Sequence, residues 1–153
     1  MDVYRIARRR FVHDLSGEGA RLYGGRWNRK GSSILYTSES RSLATVEFLV
    51  HVSFSILPTD MCIAEIHVPD HSRTEELNVG DLSGNWTEYP APPALAGIGD
   101  LWKENNETLC MRVPSAVVRN EWNILINPRH PDFGDVRVVS IEEYVFDPRL
   151  LGQ

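Results

Sequence analysis

The chain predicts an α+β fold. Its strand-like segments outnumber its helical ones, and the two kinds do not alternate regularly as a doubly wound parallel sheet requires. Val3–Ala7 reads as the first strand. The stretch from Ser16 to Gly31 carries Gly17, Gly19, Gly24, Gly25 and Gly31 and reads as a glycine-rich turn region. Ser33–Thr37 reads as a second short strand. Ser40 is placed to cap a helix from Arg41 to Val52, a run free of Gly and Pro. Cys62–Val68 follows as a third strand, stopped by Pro69. Residues 78–99 hold Gly80, Gly84, Pro90, Pro92, Pro93, Gly97 and Gly99, which predicts a long irregular excursion leading into a short helix near Leu101. Thr108–Val113, Asn123–Ile126 and Val136–Phe146 complete the strands, the last with a break near Ile141.

Composition narrows the function classes. At 153 residues and 17.4 kDa, positions 1–153 make one domain. The 42% apolar and 24% charged content is that of a globular protein, not of a disordered chain or coiled coil. A net charge of -5 argues against direct nucleic acid binding through the whole surface. The charge is uneven: residues 1–41 carry nine Arg/Lys against four Asp/Glu, while the remainder is strongly acidic. Cations gathered in one quarter of an acidic chain suit an anionic ligand. No apolar run approaches the ~20 residues that span a bilayer, and the first residues lack the apolar core of a secretory signal. Cys62 and Cys110 sit in apolar stretches, which fits buried thiols in a reducing, cytoplasmic setting.

Several residues could carry chemistry. Leu43, Glu47, Val50 and Phe54 share one helical stripe, so Glu47 is a carboxylate where a core residue is expected, with His51 one turn on. It either finds a surface cation at the stripe's margin or faces a cleft. In Gly17–Asn28, close-approach glycines stand beside Arg21 and Arg26, which suit a phosphate, and Tyr23 and Trp27, which with Tyr36 suit a heterocycle. The same segment also reads as a turn whose aromatics are core. Its spacing matches neither GxGxxG nor a Lys-containing phosphate loop. Ser115 lacks a nucleophile-elbow context and reads as a helix cap or a polar ligand contact. His67 and His71 have an H-x3-H spacing, but the intervening Pro69 excludes a regular helix and with it a convincing zinc site.

The motifs resemble those of RES-domain proteins, the toxin half of bacterial RES–Xre toxin–antitoxin pairs. The resemblance rests on Leu15–Asn28, Leu35–Ser38 and Ser42–Glu47 in the first half. In the second it rests on Val113–Val118, Glu121–Asn123, Ile126–Pro131 and Phe146–Leu150. It spans nearly the whole chain with the motifs in order. It implies a fold like that of ADP-ribosyltransferase toxins, with a split mixed/antiparallel sheet core. It also implies NAD as substrate with no metal, cleavage of the nicotinamide–ribose bond, and an Xre-like helix-turn-helix antitoxin as partner.

The family's Arg, Glu and Ser map to Arg26, Glu47 and Ser115, and its recurrent Tyr to Tyr36. On this resemblance Glu47 stabilises the oxocarbenium character that develops as nicotinamide leaves. Arg26 holds the pyrophosphate or the nicotinamide-side ribose, with Arg21 in the same segment. Tyr36 stacks on nicotinamide, Tyr23 or Trp27 shapes the pocket, and Ser115 bonds the carboxamide or a ribose hydroxyl. His51 is placed by its spacing from Glu47 alone. The same constellation serves NAD breakdown by hydrolysis or phosphorolysis and transfer of ADP-ribose to a protein; it argues against an inert binding module.

Overall fold

A computed structural model of the protein describes residues 1–53 and 55–152. Its strands are β1 (Asp2–Arg8), β2 (Leu35–Ser38), β3 (Met61–His67), β4 (Thr74–Glu76), β5 (Cys110–Pro114), β6 (Trp122–Ile126) and β7 (Arg137–Glu143). They form one seven-stranded sheet in the order β4-β5-β6-β2-β1-β3-β7, antiparallel throughout except for the β4–β5 pair. The sheet is split at its middle. β1 runs beside β3 from Asp2 to Arg8 but meets β2 only at Tyr4–Ser38. This is the α+β architecture, with its split mixed sheet, that the strand pattern and motifs predict.

Side-chain alternation gives the sheet two apolar faces. Val3, Leu35, Ala64, Ile66, Cys110, Ile124 and Ile126 enter one core. Met111, Val113 and Leu125 enter the other, with Trp27, Ile34, Leu95 and Trp102. The three helices are α1 (Glu18–Tyr23), α2 (Arg41–Leu49) and α3 (Pro93–Asn105). Among the described residues no helix is long and apolar enough to cross a membrane.

Ser40 caps α2 as expected: its side chain accepts from the Leu43 N–H at 3.1 Å. One stripe of α2 is tied to the end of β7 and the extended segment after it in a matched ladder. Arg41 pairs with Glu142 at 2.8 Å, Thr45 bonds the Tyr144 hydroxyl, and Phe48 stacks on Phe146 with ring centres 5.3 Å apart. Residues at i, i+4 and i+7 of a helix thus meet residues at j, j+2 and j+4 of an extended chain, each spacing placing three side chains on one face. This ladder fixes the helix that carries Glu47.

The structure departs from the sequence reading at five elements. The glycine-rich region contains the six-residue helix α1, because Glu18-Gly19-Ala20-Arg21-Leu22-Tyr23 tolerates one glycine between good helix formers. α3 is a thirteen-residue helix that starts at Pro93, well before Leu101; proline suits a first helical position, and Gly97 and Gly99 lie inside the helix. β4, three exposed residues in parallel pairing with β5, carries no alternation to read. β7 is unbroken at Ile141; its irregularity is a bulge at Val139, where the register with β3 slips between Glu65 and Ile66. The predicted helix also stops at Leu49, short of Val52.

Cys62 and Cys110 are both buried free thiols. Burial pushes the Cys110 thiol up to about 12 from its ordinary 9.0. The unfolded thiol ionises above pH 9 while the folded one stays protonated. Its contribution is therefore intact below pH 9 and is lost progressively between pH 9 and pH 12, by up to about 1.4 kcal/mol per pH unit. Urea unfolding at pH 8 and pH 10 should show a steeper loss of stability in the wild type than in Cys110→Val. Parallel pH dependences would contradict this assignment.

Candidate active site

The site is built where α2 crosses the split sheet. Ser38 and Asn123 are directly paired across β2 and β6. The Ser38 hydroxyl donates to Asn123 Oδ1 at 2.7 Å, which turns the amide so that its Nδ2 donates to Glu47 Oε1 at 2.6 Å. Ser115, immediately after β5, donates its hydroxyl to the same Oε1 at 2.7 Å. Its oxygen accepts from the Val117 and Val118 N–H groups at 3.1 and 3.0 Å, so the hydroxyl proton is committed to Glu47. Two donors to a carboxylate are the stronger, charge-assisted kind. They leave Glu47 Oε2 without a hydrogen-bond partner among the described residues.

Glu47 lines a cleft of about 980 Å³, a volume in the upper range of small-molecule sites. One wall is the α1 end and the loop Gly24–Trp27; the facing wall is Thr87 and Tyr89–Ala91 from the long excursion, with Pro114, Ala116 and Val117 beyond. Arg26 joins the two walls: its Nη1 donates to the Trp86 and Glu88 carbonyl oxygens at 2.7 and 3.1 Å. Burial lowers its pKa, Glu47 and Tyr36 oppose the shift, and an arginine stays charged through such a change. Nε and Nη2 have no partner among the described residues, so the cation is held by its carbonyl contacts and open to an anionic ligand.

Tyr36 forms a third wall. Its hydroxyl accepts from the Trp27 N–H at 3.0 Å and donates to Asn28 Oδ1 at 2.7 Å. Burial raises its pKa far above the ordinary value, so it remains a neutral donor. Asn28 is itself locked by the carbonyls of Ala20, Arg29 and Ser32. Tyr36→Phe should leave the Trp27 N–H and Asn28 Oδ1 unpaired and cost about 1–3 kcal/mol. Chemical denaturation measures this directly; a variant as stable as wild type would show the bonds to be dispensable.

The predicted site residues separate into groups. Arg26, Tyr36 and Glu47 line the cleft together, and buried Ser115 stands behind Glu47 as its donor. Ser115 caps no helix: its oxygen accepts from the Val117 and Val118 N–H groups of a turn, and its hydroxyl contacts Glu47. Tyr23 lies at the rim, 79% exposed, whereas Trp27 is a core residue that also borders the cleft. His51 lines the cleft but makes no hydrogen bond to Glu47; its ring lies 6.3 Å from that of Tyr89. Arg21 does not line the cleft, and its guanidinium is paired with Glu18 on α1. The stripe through Glu47 is not a core stripe: Leu43 is buried, Val50 is exposed, and Phe54 lies outside the described residues. His67 bonds Asp2, and among the described residues no group of three His, Cys, Asp or Glu side chains could hold a metal.

Asn123, Ser38 and the Thr87–Ala91 wall are site residues that sequence reasoning did not single out. Asn123 had a signal, a carboxamide inside the apolar run Trp122–Ile126 at a position facing another polar strand residue. The Thr87–Ala91 wall has none, since only tertiary packing brings it to the cleft.

The class of molecule so defined is an α+β protein with one gripped carboxylate, Glu47, and an arginine, Arg26, on the walls of a single large cleft among the described residues. Residues 2–147 match the RES domain, and the chain belongs to the RES-domain family of toxins. It is 40% identical over 152 residues to Toxin Res of Yersinia enterocolitica, covering 98% of this chain and 99% of that one. It is 38% identical over 140 residues to the Prs ADP-ribosylating toxin of Sphingobium sp., covering 90% of this chain and 87% of the relative. Its fold is shared with a chain of the M. tuberculosis MbcT–MbcA toxin–antitoxin complex, at a TM-score of 0.76 and 17% identity, over 99% of this chain and 86% of that chain.

Proposed function

We propose that the protein is a toxin that cleaves the nicotinamide–ribose bond of NAD and depletes it by hydrolysis or phosphorolysis. The observation that carries this reading is Glu47, held through Oε1 by Ser115 and Asn123 at the wall of a cleft shared with Arg26 and Tyr36. As the bond breaks, its electron pair passes to the ring nitrogen and nicotinamide leaves neutral. Positive charge develops at the ribose anomeric carbon, where a fixed carboxylate in a water-poor cleft stabilises it. Water or phosphate then adds; an attacking water gives up one proton, for which Glu47 is the carboxylate in the cleft. Arg26, anchored to carbonyls on the opposite wall, meets the pyrophosphate.

A second reading is transfer of ADP-ribose from the same cleft to a protein, favoured by the name of the Sphingobium relative. A partner of the Xre-like helix-turn-helix type fits the reading, with the toxin–antitoxin neighbour in its support and the acidic balance of this chain leaving DNA contact to the partner. The site of action is then the cytoplasm, where NAD is available. The test incubates the purified chain with NAD, with and without phosphate, and follows nicotinamide release. Release with ADP-ribose or its phosphate ester as co-product supports the first reading. Release that requires a protein acceptor, with label appearing on it, moves the assignment to the second; no release under any condition sinks both.

A further inference from the structure

Glu47 is held in part by an amide, and an amide has a donor end and an acceptor end. Asn123 presents the donor, Nδ2, to Glu47 Oε1 at 2.6 Å. Flipped end for end it would present Oδ1, an acceptor against an acceptor, and the grip would become a repulsion. One other side chain among the described residues bonds this amide: the Ser38 hydroxyl, which donates to Oδ1 at 2.7 Å. Asn123 borders both the large cleft and a smaller cavity of about 260 Å³ beside it, so an amide released from Ser38 has room to turn. Ser38 itself has little freedom. Its backbone is the one point where β2 meets β1, opposite Tyr4, and on its other side it pairs with Asn123 of β6. Three strands therefore fix the base of a buried hydroxyl at the fork where the sheet splits.

We propose that Ser38 is a positioning residue for turnover, acting through the Asn123 amide to fix Glu47 Oε1 and so to keep the carboxylate's charge aimed at the cleft. The inference rests on the NAD-cleaving reading above, in which that charge stabilises the anomeric carbon as nicotinamide leaves. Ser38 touches neither Glu47 nor the reacting atoms. Its effect is preorganisation: a carboxylate that must be re-aimed at each turnover gives up part of its stabilisation to reorganisation. The effect is partial, because Ser115 still donates to Oε1 when the amide swings away.

In Ser38→Ala, kcat for nicotinamide release should fall about tenfold, with KM for NAD within about twofold of wild type. Ser38→Thr, which keeps the hydroxyl and suits a strand, should hold kcat within about threefold of wild type. Where alanine at the fork does not fold, Ser38→Cys, close in size but a much weaker donor, takes its place with the same expectation. Asn123→Ala keeps the Ser115 grip and a measurable rate. In that background no amide remains to be oriented, and removing the Ser38 hydroxyl should change kcat by less than about twofold. A merely structural role would lower both backgrounds alike. A further readout needs no NAD: the side-chain amide NMR signals of Asn123. In the wild type the proton given to Glu47 should lie well apart from its partner, and in Ser38→Ala the two should draw together. Wild-type kcat in folded Ser38→Ala, an equal fall in both backgrounds, or unchanged Asn123 amide signals would overturn the proposal. Amide signals that respond to Ser38→Ala in a protein that releases no nicotinamide would support the orienting contact and sink the catalytic reading, so the two fail separately.

Discussion

Glu47→Gln is expected to lower nicotinamide release from NAD by about 10²–10³-fold, the range seen when one preorganised electrostatic group is removed from an active site. The substitution is nearly isosteric. Its amide oxygen can keep both bonds now made to Oε1, from Ser115 Oγ at 2.7 Å and Asn123 Nδ2 at 2.6 Å, while its NH2 takes the place of the unpartnered Oε2. The network and fold are retained, and only the negative charge facing the cleft is lost. The loss belongs in kcat, because the charge it would stabilise develops during bond cleavage and is absent from the ribose carbon of bound NAD. Steady-state kinetics together with a thermal melt separate these effects. Wild-type turnover in a folded Glu47→Gln protein would remove Glu47 from the chemistry.

Gly99→Ala is expected to be the most damaging single-methyl change, at about 3 kcal/mol or more, beyond the usual cost of overpacking. A Cβ at this buried position in α3 would overlap the Trp27 carbonyl oxygen and press on the Trp27 carbonyl carbon and Cβ. None of these atoms is a flexible side-chain tip; all belong to the loop that lines the cleft. Just past Gly99, α3 is pinned to the segment that follows that loop. The Asp100 carboxylate accepts from the Arg29 N–H at 3.3 Å, and Lys103 Nζ donates to the Ser32 and Ser33 hydroxyls at 3.2 and 3.3 Å. The helix therefore cannot back away without breaking these bonds, and the strain passes to Trp27 and through its N–H to Tyr36. A large drop in urea midpoint, with weakened ADP-ribose binding in any folded fraction, is the expected result. Wild-type stability would show that α3 can slide on the loop.

Legibility from sequence followed the range of the interactions. The Ser40 cap and the helix it starts are local hydrogen-bonding and propensity effects, and they were readable to within a few residues. The strands β1, β3, β5 and β6 were readable because their side chains alternate or run apolar against a core. β4 was not: three exposed residues, Thr74–Glu76, are a strand only because β5 lies beside them. The charge excess in residues 1–41 is one that local pattern cannot apportion. Arg21 lies five residues from Arg26 in the same segment, yet one is paired with Glu18 on its own helix and the other reaches across the cleft to Trp86 and Glu88.

By itself, then, the sequence determined which residue types are present to do chemistry, and the resemblance of its motifs to those of RES-domain proteins marked Arg26, Tyr36, Glu47 and Ser115 as a set. Tertiary structure decided what each of them touches. Ser115 and Asn123 lie 68 and 76 residues from Glu47, and no local rule relates them. Their meeting depends on the pairing register of β2 with β6, on where β5 ends, and on the angle at which α2 crosses the split in the sheet. Those are set by burial of two cores and by the α2 ladder to Glu142, Tyr144 and Phe146, which are sums over many distant contacts. A carboxylate's identity is written in one codon's worth of sequence, but which of its oxygens is held and which faces the cleft is a property of the whole fold.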